Sequence, residues 1–228
     1  VHSYRKLELH ASQYLRQQEQ KTYTDFNELN SVVAHRHLPV FMIGAKASID
    51  VLSFSNMKSL AKMQCNGMGE LTRLKMDSAG DFIGCCDSDG NFSSYRFDSS
   101  YSAAPNFLLR KTNISEFAYL NSNIIATASN KDSLLQVYDP LISPAKSCVY
   151  KDRVSNAIGI EYVPESRKLL VIKKADVSIF DVRRGFLNRF DTTSMTAGDN
   201  RCSSLTTSSH RIVLGGTQGE LRIFNLEG

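Results

Sequence analysis

Tryptophan is missing from this 228-residue chain, and proline and cysteine are scarce at five residues each. Cys65, Cys85, Cys86, Cys148 and Cys202 form no CxxC pair and no even framework. That excludes a disulfide-stapled scaffold and reads as free thiols in a reducing compartment. Long apolar runs are lacking too: stretches such as the "LLVI" after Lys168 end after four or five residues. A bilayer span needs roughly 20, so no membrane insertion is expected. The opening "VHSYRKLELH" has no apolar stretch of the kind a secretory signal requires, and a start at Val1 rather than Met reads as a fragment. Charge of one sign is also absent. The 27 basic and 23 acidic residues are dispersed and leave a net charge of +4, with no Lys/Arg stripe interleaved with aromatics. A nucleic-acid partner is therefore not expected. Without a signal peptide, the N-x-S sequons at Asn91 and Asn113 read as chance matches.

What is present is a period. "IDVLSF", "FSSYRFD", "LLQVYD", "VSIFDVRR" and "LRIFNLEG" align on Leu52, Tyr95, Tyr138, Phe180 and Phe224, at separations of 43, 43, 42 and 44 residues. A second apolar run precedes each of these by eight to twelve residues: "VFMIGA", "FIGCC", "IIATAS", "LLVIKK" and "IVLGG". Turn signals such as "DSDG" at Asp87–Gly90 and "NKDS" at Asn130–Ser133 lie between the runs, so each pair reads as a β-hairpin. Earlier runs ("LTRLKMD", "ISEFAYL", "AIGIEYV", "CSSLTT") and later ones ("LAKMQC", "FLNRF") supply further strands. Four short strands in about 43 residues is the signature of a WD-repeat blade.

The expected fold is therefore all-β: a WD-repeat β-propeller fragment of five four-stranded blades, part of a larger seven-bladed ring. Blades are placed at about 31–65, 66–110, 111–150, 151–195 and 196–228, with 1–30 as a linker or lent outer strand. "SYRKLEL", Ser3–Leu9, is the candidate for that strand, because the final blade runs out of chain after Asn225. The Gly-His dipeptide of the signature is missing, and Tyr or Phe stands where it has Trp. Packing must then replace the usual polar network, with Tyr95, Tyr138, Phe180 and Phe224 buried between blades.

The search for chemistry yields no catalytic set. "HRH" places His35 and His37 two residues apart without a third ligand and reads as a loop rather than a zinc site. Cys85 and Cys86 are adjacent on a strand and point to opposite faces, as buried thiols. "CNGMGE" lacks the Lys-Ser/Thr of a phosphate loop, "DSDG" reads as a hairpin turn rather than a calcium loop, and no G-x-S-x-G elbow exists. No cofactor or metal is expected.

"NSNIIATASNKDSLLQVYDPLISPAKSCVY", "IEYVPESRKLLVIKKADVSIFDVRRGFLNRF" and "IVLGGTQGELRIFNLEG" resemble the C-terminal WD-repeat region of the DmX-like proteins, the rabconnectin-3 family. The resemblance runs from about Ser31 to Gly228. Its specific pieces are the "DPLISP" exit after Tyr138 and the "IFDVR" exit of the next blade. It implies a large cytoplasmic scaffold, peripheral on endosomal or synaptic vesicle membranes, that acts in assembly and regulation of the vacuolar proton pump. Implied partners are V-ATPase subunits and other scaffold or Rab-regulator subunits. The alternative rests on "IFDVRR", Ile179–Arg184, which resembles the WDxR ending used to dock to the adaptor of a cullin-RING ubiquitin ligase, with Asp181 and Arg183 in the key places.

Overall fold

The computed structural model describes residues 30–110, 112–121, 123–143, 146–164, 166–173, 176–181, 184–191, 205–208, 211–215 and 221–225. These form 19 strands in five antiparallel sheets, each a meander in which consecutive strands pair. Blade 1 comprises β1 (Ser31–Ala34), β2 (Val40–Ala45), β3 (Ser48–Ser53) and β4 (Ser59–Gln64). Blade 2 comprises β5 (Leu71–Met76), β6 (Phe82–Asp87), β7 (Phe92–Phe97) and β8 (Ala103–Leu109). Blade 3 comprises β9 (Glu116–Tyr119), β10 (Ile125–Ser129), β11 (Leu134–Tyr138) and β12 (Cys148–Arg153). Blade 4 comprises β13 (Ala157–Val163), β14 (Lys168–Lys173), β15 (Asp176–Asp181) and β16 (Gly185–Asp191). Three strands of the last sheet are described: β17 (Leu205–Ser208), β18 (Arg211–Gly215) and β19 (Leu221–Asn225). First strands lie against first strands: β1 against β5, β5 against β9, β9 against β13, β13 against β17. That is propeller-blade architecture, and the described sheets form an open array rather than a closed ring. Among the described residues no helix is long and apolar enough to cross a membrane.

The 43-residue period is a structural register. Leu52, Tyr95, Tyr138, Phe180 and Phe224 sit opposite Phe41, Ile83, Ile125, Leu169 and Ile212 of the preceding strand. In the four sheets with a fourth strand, the pairing to it slips immediately before the repeat position, at Val51/Leu52, Ser94/Tyr95, Val137/Tyr138 and Ile179/Phe180. An extra residue in one strand bends it and sharpens its twist, so each outer strand is turned away at the same point. Leu52, Tyr95, Tyr138 and Phe180 are all buried. The Phe224 side chain and the Ser3–Leu9 segment lie outside the described residues.

Second and third strands are largely buried on both faces because each face meets a different neighbour. Val40, Met42, Ile49 and Val51 of blade 1 pack with Leu71, Leu74, Ile83, Cys85 and Tyr95 of blade 2. The next residue along β6, Cys86, turns the other way and joins Phe92, Phe117, Tyr119 and Ile125 between blades 2 and 3. Leu135 and Val137 pack with Ile160, Leu169, Val171 and Phe180 between blades 3 and 4. At β6 this closeness demands glycine: a Cβ on Gly84 would sit 2.6 Å from Phe117 and 2.8 Å from the Tyr119 hydroxyl. Gly90 closes the β6–β7 turn at φ 76°, where a Cβ would lie 2.5 Å from the Asn113 backbone.

Candidate interaction site on the inner strands

Four charged side chains meet where the first strands of blades 2, 3 and 4 converge. Arg73 and Lys75 lie two apart on β5 and so point to one side. Arg73 donates through Nε to the Glu116 carboxylate at the start of β9, and through Nη1 to the Thr72 carbonyl at 2.8 Å. Lys75 reaches past blade 3 altogether, donating to the Ile160 carbonyl at 2.7 Å and to Glu161 Oε2 at 3.2 Å, both on β13. The crossing is possible because Ala118 occupies the corresponding position of blade 3. Lys75, Ala118 and Glu161 are spaced by 43 residues and border the same cavity of about 280 Å³, together with Arg36, Tyr119 and Tyr162.

Electrostatically the cluster is uneven. Glu116 is buried while its partner Arg73 is half exposed. Burial pushes the Glu116 carboxyl above its ordinary value, and Lys75 and Arg73 pull it back down. Lys75 and Glu161 are both partly exposed, a pair that fixes geometry more than it stabilises. A larger cavity of about 490 Å³ lies beside Arg73, between the turns of blades 2 and 3, bordered by Asp87, Asp89, Asn113, Asn130 and Lys131. The side chains named around the two cavities are mostly polar and of both charges.

Polar groups also join blades elsewhere. Ser94, fully buried, shares a 2.7 Å hydrogen bond with the Tyr119 hydroxyl across the interface of blades 2 and 3. Burial drives the Tyr119 phenol well above its ordinary value, so it stays protonated and available as a donor. His35 Nδ1 accepts the backbone N–H groups of His37 and Leu38, each at 3.0 Å. Its Nε2 therefore carries the proton and donates to the Gly80 carbonyl of blade 2 at 3.1 Å. Both ring nitrogens are engaged in structure, and among the described residues no group of three or more His, Cys, Asp or Glu could hold a metal ion.

The Asp87 carboxylate accepts N–H groups from Gly69, Asn91 and the Asn91 side chain, each at 2.7 Å, which builds the β6–β7 turn. The bond from its side chain holds Asn91 in a buried position. Cys85 and Cys86 are fully buried; a hydrogen bond with Cys65 and burial raise Cys85, and burial raises Cys86, so neither is a thiolate. Asp181 ends β15, where its carbonyl accepts the Arg184 N–H at 3.1 Å. Arg183 lies outside the described residues.

Sequence reasoning did not pick out Arg73, Lys75, Glu116 or Glu161. The signal was available: the period applied to the first strands aligns Arg73 with Glu116 and Lys75 with Glu161.

No family model matches the chain. It is 22% identical over 219 residues to DmX-like protein 1 of Mus musculus, a match covering 88% of this chain and 7% of that protein. Against DmX-like protein 1 of Homo sapiens the identity is 23% over 181 residues, covering 72% of this chain and 6% of that protein. The chain thus spans less than a tenth of the length of the curated relatives it matches. With the blade architecture, this similarity supports a WD-repeat relation and a protein-interaction scaffold.

Proposed function

We propose that this chain is a non-enzymatic protein-interaction module of a scaffold that assembles and regulates the vacuolar proton pump, working at the cytoplasmic face of endosomal or synaptic vesicles. The observation that carries the reading is the combination of repeat blades with the match to DmX-like protein 1 along most of the chain. The five blades belong, on this reading, to a larger seven-bladed ring, with boundaries near residues 65, 110 and 195; the boundary expected at 150 moves past Arg153, where β12 ends. The inner-strand charges and the turn face between blades 2 and 3 hold partner segments, while the packed interfaces keep those loops in place.

The test is removal of residues 31–228 from the parent protein in cells. Vesicle pH should rise with pump subunits still expressed. Unchanged acidification, together with recovery of the cullin-ligase adaptor that is lost on Arg183→Ala, would replace this reading with ligase docking through Asp181 and Arg183.

A further inference from the structure

The third blade exposes apolar surface that its sheet does not use. Leu141 is 79% exposed, Ile142 39% and Val149 50%, and all three fall within nine residues of chain around the start of β12. The loop that carries the first two is built to hold them out. Asp139 Oδ1 accepts the Leu141 N–H at 2.9 Å, the Asp139 carbonyl accepts the Ile142 N–H at 3.2 Å, and the Asp139 N–H closes the loop on the Ser147 carbonyl at 2.8 Å. Val149 follows two residues after that closure, so the apolar group sits at the head of the outer strand.

Along β12, Val149, Lys151 and Arg153 alternate with less exposed residues and share one exposed face, and Lys146 is exposed in the loop. The nearby carboxylates are engaged within the blade. Asp152 accepts the Tyr150 hydroxyl at 2.9 Å and the Arg153 N–H at 2.7 Å, and Asp132, which Lys151 faces, accepts from Asn113 and Ser129. Among the described residues none of Lys146, Lys151 and Arg153 forms an ion pair. β12 pairs with β11 on one edge, and its other edge meets no described strand. The other outer strands with described side chains differ. β8 carries Pro105, which has no N–H to offer, and no cation, while on β4 the single cation Lys62 faces Asp50 at 3.9 Å.

We propose that β12, together with Leu141, Ile142 and Lys146 ahead of it, forms a docking edge for an extended protein segment that carries acidic residues beside aliphatic ones and adds to blade 3 as a fifth strand. Main-chain pairing would supply affinity, the exposed aliphatic group would take alternate side chains, and the three cations would select for acidic neighbours. This deepens the interaction-module reading and rests on it.

The experiment is a fluorescence-anisotropy titration of the full 228-residue chain with a labelled synthetic peptide alternating valine or leucine with aspartate or glutamate. Saturable binding should weaken about fivefold or more on Lys151→Glu and on Leu141→Ser, both exposed positions whose variants should keep the parent's melting curve. N-methylation of alternate peptide amides should abolish it, which simple charge attraction would not. Equal binding of the N-methylated or a lysine-substituted peptide, or equal weakening by Lys62→Glu on β4, would overturn the edge. Capture of proton-pump subunits that survives both blade 3 variants would also overturn it, while leaving the interaction-module reading standing.

Discussion

The interface between blades 2 and 3 contains two kinds of contact a few residues apart. In its interior Phe92 and Phe117 meet edge to face with ring centroids 4.9 Å apart, both fully buried. At its inner margin Arg73 and Glu116 pair with one partner buried and the other half exposed. Apolar contact between blades recurs at each described interface from blade 1 to blade 4, in different residues but the same strands. The charged contacts are individual to their blades. Packing therefore supplies the repeating stability, and the polar contacts set how particular neighbours align and what their margins present to solvent.

Substitutions should separate the two kinds of contact, with the largest effects in the interior. Phe117→Ala should lower stability by about 4 kcal/mol through lost burial and the cavity left beside Phe92. Tyr138→Ala removes a buried ring that lies 6.1 Å from Phe107 and should cost about 3 kcal/mol. Urea melts measure both, and coincident curves for variant and parent would contradict the packed-blade account. Gly84→Ala adds a methyl group where Phe117 and Tyr119 already sit and should cost about 2 kcal/mol, a loss that Phe117→Leu should partly relieve.

At the margin the effects should be smaller and dependent on pH. Arg73→Ala strands a buried carboxylate and should cost about 1 to 2 kcal/mol at neutral pH, reduced because Arg73 is half exposed. Glu116 has a folded value raised above its unfolded one. Its contribution is then fully present below the unfolded value of about 4.5 and is lost as pH rises through the folded value. Stability of the parent relative to Glu116→Gln should therefore fall as pH rises above 4.5. Melts across that range that show no difference in slope would contradict the assignment. Lys75→Met should be smallest, at about 0.5 kcal/mol, since both members of its pair touch water.

The contrast also explains what could be read from the chain. Second and third strands were legible because both faces are largely covered, so "FIGCC" is apolar in succession, "LLQVY" is broken only by Gln136, and both are punctuated by turns. β1, β8 and β12 were not. "AAPNFLL" and "CVYKDR" are outer strands with exposed positions, and their composition matches that of a loop. Burial of Leu52, Tyr95, Tyr138 and Phe180 follows from their place in the period. The Arg73–Glu116 and Lys75–Glu161 pairs depend on which residues happen to share a first-strand position, which apolar periodicity does not reveal. Ser94 shows the same limit: taken alone it is a polar break in a strand, and its partner Tyr119 is 25 residues away.

The proposed role of these blades as a binding platform for the proton-pump machinery can be measured with purified components. The immobilised chain should bind the purified vacuolar pump, or one of its separated sectors, saturably, and Phe117→Ala, which loosens the blades, should weaken that binding in step with the loss of folded protein. No saturable binding by a chain shown to be folded in the same buffer would contradict the account.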